Sequence, residues 1–216
     1  MDPELVRTTF YITYVLLMTT TTITLIEALR TKDVKVRHML NLETCISIVA
    51  LFFYGQFVSK VTAPTIDYKS ISLTRYTDWL ITTNIMLLVL ALFSSYHSGK
   101  GVGAVLYLGM VALNAVMLGV GYMGESGRME KGSALLIGFL AFGGLFAFIW
   151  YYFMRGVQSQ AAWFLFWFYV VVWGLYGVVY SWEEVSKNVS YNVLDLISKV
   201  LVGLGIWAYT SGVLVG

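Results

Sequence analysis

"RYTDWLITT", residues 75–83, places an arginine and an aspartate three residues apart inside an otherwise apolar stretch. A charge at mid-bilayer costs at least ~2.5–3.5 kcal/mol, so a membrane span that carries two such groups needs a compensating partner for each. The surroundings decide that the stretch is a span. Of 216 residues, 58% are hydrophobic and only 12% charged, and the mean hydropathy is +0.75. A soluble domain of this size could not cover so much apolar surface with so few charges. Seven tryptophans and fifteen tyrosines against two prolines fit membrane helices with aromatic residues at their interfaces. A net charge of +2 gives no electrostatic footprint for nucleic acid. The single Cys45 has no internal disulfide partner and is expected to be a small buried hydrophobe. The start "MDPELVRTTF" is acidic and no small-residue cleavage pattern follows the first span, so a cleaved signal peptide is not expected.

Apolar runs of roughly twenty residues are long enough to cross a hydrocarbon core. Seven are present, at about 6–29, 39–58, 71–94, 102–121, 132–154, 160–181 and 189–213. The connectors "RTKDVKVRH", "SKVTAPTIDYK", "SSYHSGKG", "GYMGESGRMEK", "RGVQSQ" and "SWEEVSKN" are short and polar, leaving no room for a second domain. The expected fold is an all-α, seven-helix membrane bundle in one domain over 1–216. The threonine run "TTTTIT" (19–24) is tolerable because hydroxyls bond back to the helix's own carbonyls. For orientation, Arg30, Lys32, Lys35, Arg37, Lys100 and Arg155 on one side balance Arg7, Lys60, Lys69, Arg128, Lys131 and Lys187 on the other. The first loop concentrates four of them beside the first span, which predicts the N-terminus outside and the C-terminus in the cytoplasm.

Arg75, Asp78, Asp195 and Lys199 lie well inside spans; Glu43 sits a turn inside the second and Glu27 near the end of the first, as an interface residue. Lys199 is about ten residues from one end of its span and fourteen from the other, which puts ~15 Å or more of helix between it and either surface. A lysine stem cannot snorkel that far. Asp195 and Lys199 are spaced i, i+4 and share a face of the seventh helix. Arg75, Asp78 and Thr82 share a face of the third, to which Val89 returns three turns on. Two acids and two bases can thus form one neutral quadrupole. The plainer reading is a static ion-pair network between the two helices. The functional reading is that the buried amine condenses with a carbonyl. The resulting protonated Schiff base needs carboxylate counterions, which Asp78 and Asp195 are placed to supply, and an aldehyde chromophore needs an aromatic slot such as "WGLYGVVY" (173–180).

These residues resemble the microbial, or type 1, rhodopsins over nearly the whole chain. "RYTDWLITT" resembles that family's third-helix signature, "YNVLDLISKVL" (191–201) its retinal-lysine helix, and the W-x-x-Y-x-V-V-Y pattern of the sixth span its ring of retinal-packing aromatics. "GYMGESG" (121–127) is similar to the proteorhodopsin loop between the fourth and fifth helices, and the short loop before the seventh resembles the rhodopsins of large algal viruses (group II). The resemblance implies all-trans retinal on Lys199 as a protonated Schiff base, Asp78 as counterion and proton acceptor, and Asp195 as second counterion. It implies that Arg75, helped by Tyr54, closes the outward half, with Thr82 on the proton path. Trp79, Thr83, Met86, Asn114, Met117, Phe142, Trp173, Tyr176 and Tyr180 would line the retinal. Asn114 is expected to bond to Thr83, and apolar Met86 at a spectral-tuning position implies green rather than blue absorption. Glu183 and Glu184 are candidate release groups, against the plainer reading of a solvated loop. No metal is expected.

Three departures stand out. Gly177 and Asn84 replace usual prolines in the sixth and third helices. Val89 stands where proton pumps carry an acid that returns the proton from the cytoplasm, and valine cannot carry one. If Tyr54 is level with Asp78, Glu43 and Val89 are both displaced from that level by ~16 Å, because each is eleven residues toward the cytoplasm on antiparallel helices. Glu43 is therefore a candidate relocated donor, since a carboxyl shut away from water keeps its proton at neutral pH. The plainer reading pairs it with a basic residue of the first loop.

The expected function is light-activated proton translocation by a multi-pass protein of the cell membrane, or of a host membrane if the chain is viral; it is not expected to be an enzyme. The expected partners are the lipid bilayer, H+, and further copies of the chain in a trimer or pentamer. A light-gated ion channel and a slow-cycling photosensor are the alternatives. An animal-type opsin is disfavoured by the acids flanking the lysine and by the lone cysteine.

Overall fold

The computed structural model describes residues 3–213 and is all-helical across them. The helices are α1 (Pro3–Arg30), α2 (Val34–Val61), α3 (Tyr68–Ser98), α4 (Ala104–Glu125), α5 (Lys131–Ile149), α6 (Gln160–Val179), α7 (Glu184–Asp195) and α8 (Val202–Thr210). A π-helical segment, Trp150–Met154, continues α5, and a second, Leu196–Leu201, joins α7 to α8. Among the described residues seven helices are long and apolar enough to cross a membrane, the seventh being the continuous Glu184–Thr210.

Several helices outrun the spans read from hydropathy. Apolar runs mark only the hydrocarbon core, whereas backbone hydrogen bonding continues into polar flanks. Helix α2 begins at Val34, where Asp33 caps it by accepting from the amides of Lys35 and Val36. Helix α7 begins at Glu184, so most of "SWEEVSKN" is helix rather than connector. Lys187 is fully buried there, not a loop residue, and its Nζ lies 2.7 Å from Glu184 Oε1. Cys45 is exposed on α2, contrary to the expected burial, because the inward face of that turn is taken by Glu43, Thr44, Ile46 and Ser47. The π-helical segments were not foreseen either, since a hydropathy pattern does not distinguish a π turn from an α turn.

Two compact units divide the chain. One comprises the residues up to Asp78 with those from Trp182 onward. In it α1 packs along α2, and the α7–α8 span packs on both. Val6, Phe10, Leu17, Ala50, Phe57 and Val200 form its apolar core. The hydroxyls of Thr19–Thr22 and Thr24 donate to carbonyls four residues back at 2.8–3.1 Å, so the threonine run costs α1 no unsatisfied polar groups. The other unit, Trp79–Ser181, packs α4 on α5 and α5 on α6. Gly124 of α4 lets the Tyr180 hydroxyl and Ala134 approach, and Gly177 of α6, noted above as a departure from the family's usual proline, makes room for the Phe139 ring.

Burial is inverted relative to a soluble protein. Leu136, Leu140, Phe164 and Val105 are 64% or more exposed, whereas Arg75, Asp78 and Asp195 are 0% exposed and Lys199 1%. Lipid takes the outer apolar side chains, and the interior is left for the polar ones.

Candidate functional site

The first unit builds its polar centre from two helical faces. Ser72, Arg75 and Asp78 recur on α3 at three-residue intervals; Asn188, Asn192, Asp195 and Lys199 recur along the seventh span at i, i+4, i+7 and i+11. Lys199 Nζ lies 2.7 Å from Asp78 Oδ2 and 3.5 Å from Asp195 Oδ1. Arg75 Nη1 lies 3.2 Å from Asp195 Oδ2. The Tyr54 hydroxyl donates to Asp195 Oδ2 at 2.8 Å and accepts from Arg75 Nη1 at 3.1 Å. The four formal charges cancel within one buried cluster, the condition under which a low-dielectric interior tolerates them.

Arg75 is gripped on every side. Its Nε donates to Asn188 Oδ1 at 3.1 Å and its Nη2 to Asn192 Oδ1. The rings of Phe10, Tyr54, Phe57 and Tyr191 have centroids 4.9–5.8 Å from its Cζ, a cation–π cage for a planar guanidinium. From Asn188 the bonds continue toward the N-terminal end of α7: Nδ2 donates to Ser72 Oγ at 3.0 Å, and Ser72 Oγ donates to Glu184 Oε2 at 2.9 Å. Glu184 is thereby joined to the cluster. Glu183 is exposed at the N-cap of α7 and accepts from Ser186 Oγ at 2.8 Å. Sequence reading missed Asn188, Asn192 and Lys187. The signal was there, in asparagines that keep helical register with Asp195 and Lys199.

Glu43 is 1% exposed, and among the described residues it pairs with none of Arg30, Lys32, Lys35 or Arg37. A Cβ built on Gly203 would stand 3.1 Å from its Oε2 and 3.0 Å from Thr20 Cγ2. Helix α8 thus comes close to Glu43 because residue 203 lacks a side chain.

The second unit gathers most of the aromatic candidates. Trp79 meets Tyr176 edge-on with centroids 5.4 Å apart, and Trp173 packs against Phe146 at 5.8 Å and Tyr169 at 5.7 Å. Phe142 packs against Phe146 with centroids 4.9 Å apart and the rings tilted by 56°. Asn114 Nδ2 donates to Thr83 Oγ1 at 2.8 Å and also to Asn84 Oδ1 at 2.9 Å. Thr82, Met86 and Val89 are buried, and Met117 is half-buried. Tyr180 donates to the Gly121 carbonyl at 3.2 Å.

A buried primary amine between two carboxylates fits a carbonyl that condenses with it and leaves a cationic nitrogen. The chain matches the family model for bacteriorhodopsin-like proteins over residues 5–213. Its structure is similar to that of the viral rhodopsin OLPVRII, with a TM-score of 0.89 and 46% identity over 97% of this chain and 99% of that one. The green-light absorbing proteorhodopsin of the gamma-proteobacterium EBAC31A08 is 26% identical over 73% of the chain. The blue-light absorbing proteorhodopsin of the gamma-proteobacterium Hot 75m4 is 28% identical over the same share. The matched parts span 66% and 65% of those two relatives' own lengths, just under two thirds.

Proposed function

The chain belongs to the family of bacteriorhodopsin-like proteins, and from that premise we propose that it moves protons across the membrane in light, with Lys199 as the retinal-bearing residue. It is a multi-pass membrane protein, and its family carries retinal as a Schiff base on a lysine. When bound, retinal supplies light absorption and an isomerisation that weakens the hold of the attached nitrogen on its proton. Everything else is done by the chain.

The observation that carries the proposal is the 2.7 Å contact between Lys199 Nζ and Asp78 Oδ2, sealed from solvent on both sides. At that distance Oδ2 can take a proton from Nζ directly. Asp195, whose Oδ2 is already engaged by Arg75 and Tyr54, serves as the fixed second counterion. Arg75 closes the route on the side taken as outward, and Glu184, tied in through Ser72 and Asn188, is the release group on that side. Glu183, at the exposed cap, belongs to solvent. Glu43, buried and free of ion pairs among the described residues, returns the proton from the cytoplasmic side in place of Val89. The proposed chromophore lining is Trp79, Thr83, Met86, Asn114, Met117, Phe142, Trp173, Tyr176 and Tyr180. The matches to green- and blue-absorbing proteorhodopsins support a visible-light role; with apolar Met86 the band falls in the green, and Met86→Gln shifts it to shorter wavelength.

Absorption spectra of variants reconstituted with all-trans retinal test the assignment. Lys199→Ala gives no visible band. Asp78→Asn keeps a band, moved to longer wavelength because a negative charge beside the nitrogen is gone, and loses light-driven proton transfer. A visible band retained in Lys199→Ala would overturn the attachment site.

A further inference from the structure

Two buried polar atoms of the first unit lie one turn apart on the inward face of α2. Glu43 Oε1 and Ser47 Oγ have no hydrogen-bond partner among the described residues, although their side chains are 1% and 0% exposed. Buried polar groups are nearly always satisfied by protein or by ordered water. The protein around them offers little. Thr24 and Thr44 hydroxyls lie 2.8 Å apart, so that one donates to the other while the other donates back into its own helix, and the Thr20 hydroxyl donates to Leu16.

The register between α2 and the seventh span shows where these atoms lie. Tyr54 meets Asp195 and Asn192, and Glu43 meets the backbone at Gly203. Moving four residues from Glu43 toward Tyr54 reaches Ser47; moving four residues from Gly203 toward Asp195 reaches Lys199. The first step is ~6 Å along α2, and the second crosses the end of the π segment Leu196–Leu201 over a similar stretch, so Ser47 lies near the depth of Lys199. Gly203 matters here too, because its missing side chain lets Glu43 Oε2 come close to the seventh span.

We propose that Glu43 Oε1 and Ser47 Oγ hold internal water, and that Ser47 is the relay through which the Glu43 proton reaches Lys199 Nζ. The proposal rests on Glu43 being the donor. The Glu43 carboxyl gives its proton to the bound water, Ser47 accepts one proton and donates its own, and Nζ receives it. Ser47 ends as it began, and Glu43 remains a carboxylate until the aqueous phase reprotonates it. Serine suits this role because a hydroxyl both donates and accepts.

The test combines two readouts on the full chain with retinal: the infrared carboxyl band of isotope-labelled Glu in the dark, and the optically followed return of the proton to Lys199 Nζ after a flash. Glu43→Gln identifies the Glu43 band by its loss and slows the return tenfold or more. Ser47→Ala shifts that band and slows the return by a similar factor, whereas Ser47→Thr, which keeps the hydroxyl, restores both. A normal rate in Ser47→Ala beside a slow Glu43→Gln overturns the relay and leaves the donor standing. A slow rate in Ser47→Ala without a band shift, or without rescue by threonine, reduces Ser47 to packing and also overturns it. A normal rate in Glu43→Gln removes the donor and the relay together.

Discussion

Arg75 shows how completely one residue can be specified. Its guanidinium meets Asp195, Tyr54, Asn188 and Asn192 through separate N–H groups and faces four rings. Arg75→Ala removes the compensation of a buried carboxylate, a loss of about 3–5 kcal/mol read as a fall in the thermal midpoint. Arg75→Lys does not restore it, because an ammonium lacks the planar fork that several acceptors and a cage of rings require. Arg75 and its charged partners were legible in the sequence, since ionisable groups in an apolar span demand explanation. The asparagines around Arg75 were not read, because a neutral amide raises no such alarm; only its register with Asp195 points inward. Lys187 was missed for another reason. It sits in a polar stretch that looks like a connector, yet that stretch is the first turns of α7.

Elements respond where backbones or caps come close. A Cβ on Gly124 would stand 2.5 Å from the Cβ of Ala134 and closer still to the Tyr180 hydroxyl. Gly124→Ala therefore pushes α4 from α5 and strains the Tyr180–Gly121 bond, at about 1–3 kcal/mol of overpacking, measurable as a lower denaturation midpoint. The start of α5 carries a pH dependence. Glu130 accepts from the amides of Gly132 at 2.8 Å and Ser133 at 2.6 Å. Hydrogen bonds from Ser133, through its side chain and its amide, and from the Gly132 amide hold its carboxyl below the ordinary range. The cap therefore contributes fully at neutral pH and is lost only as pH falls through that lowered value. Carboxyl-carbon NMR should show Glu130 titrating below the other exposed carboxylates, and Glu130→Gln should abolish the acid-side fraying of α5. The seven spans were legible from apolar length alone, and the threonine run of α1 from hydroxyl back-bonding. The π segments and the polar ends of α2 and α7 were not, because hydropathy reports the lipid-facing core and not the hydrogen-bond pattern.

At the scale of the whole molecule, the bacteriorhodopsin-like family accounts for the seven spans and for a light-absorbing cofactor. Direction of transport and the nature of the ion belong to the proposal, in which Asp78 receives the proton and Glu43 replaces it. An uphill pump and a passive conductor differ in one respect that no buried distance can imitate: only the pump moves charge without a gradient. The most direct measurement is the photocurrent of voltage-clamped cells expressing the full chain with retinal and equal pH on both sides. Outward current of one sign at every holding potential, abolished in Asp78→Asn, is the predicted result. Current that reverses at the equilibrium potential of a permeant ion, or no current at all, would contradict light-driven proton transport by this chain.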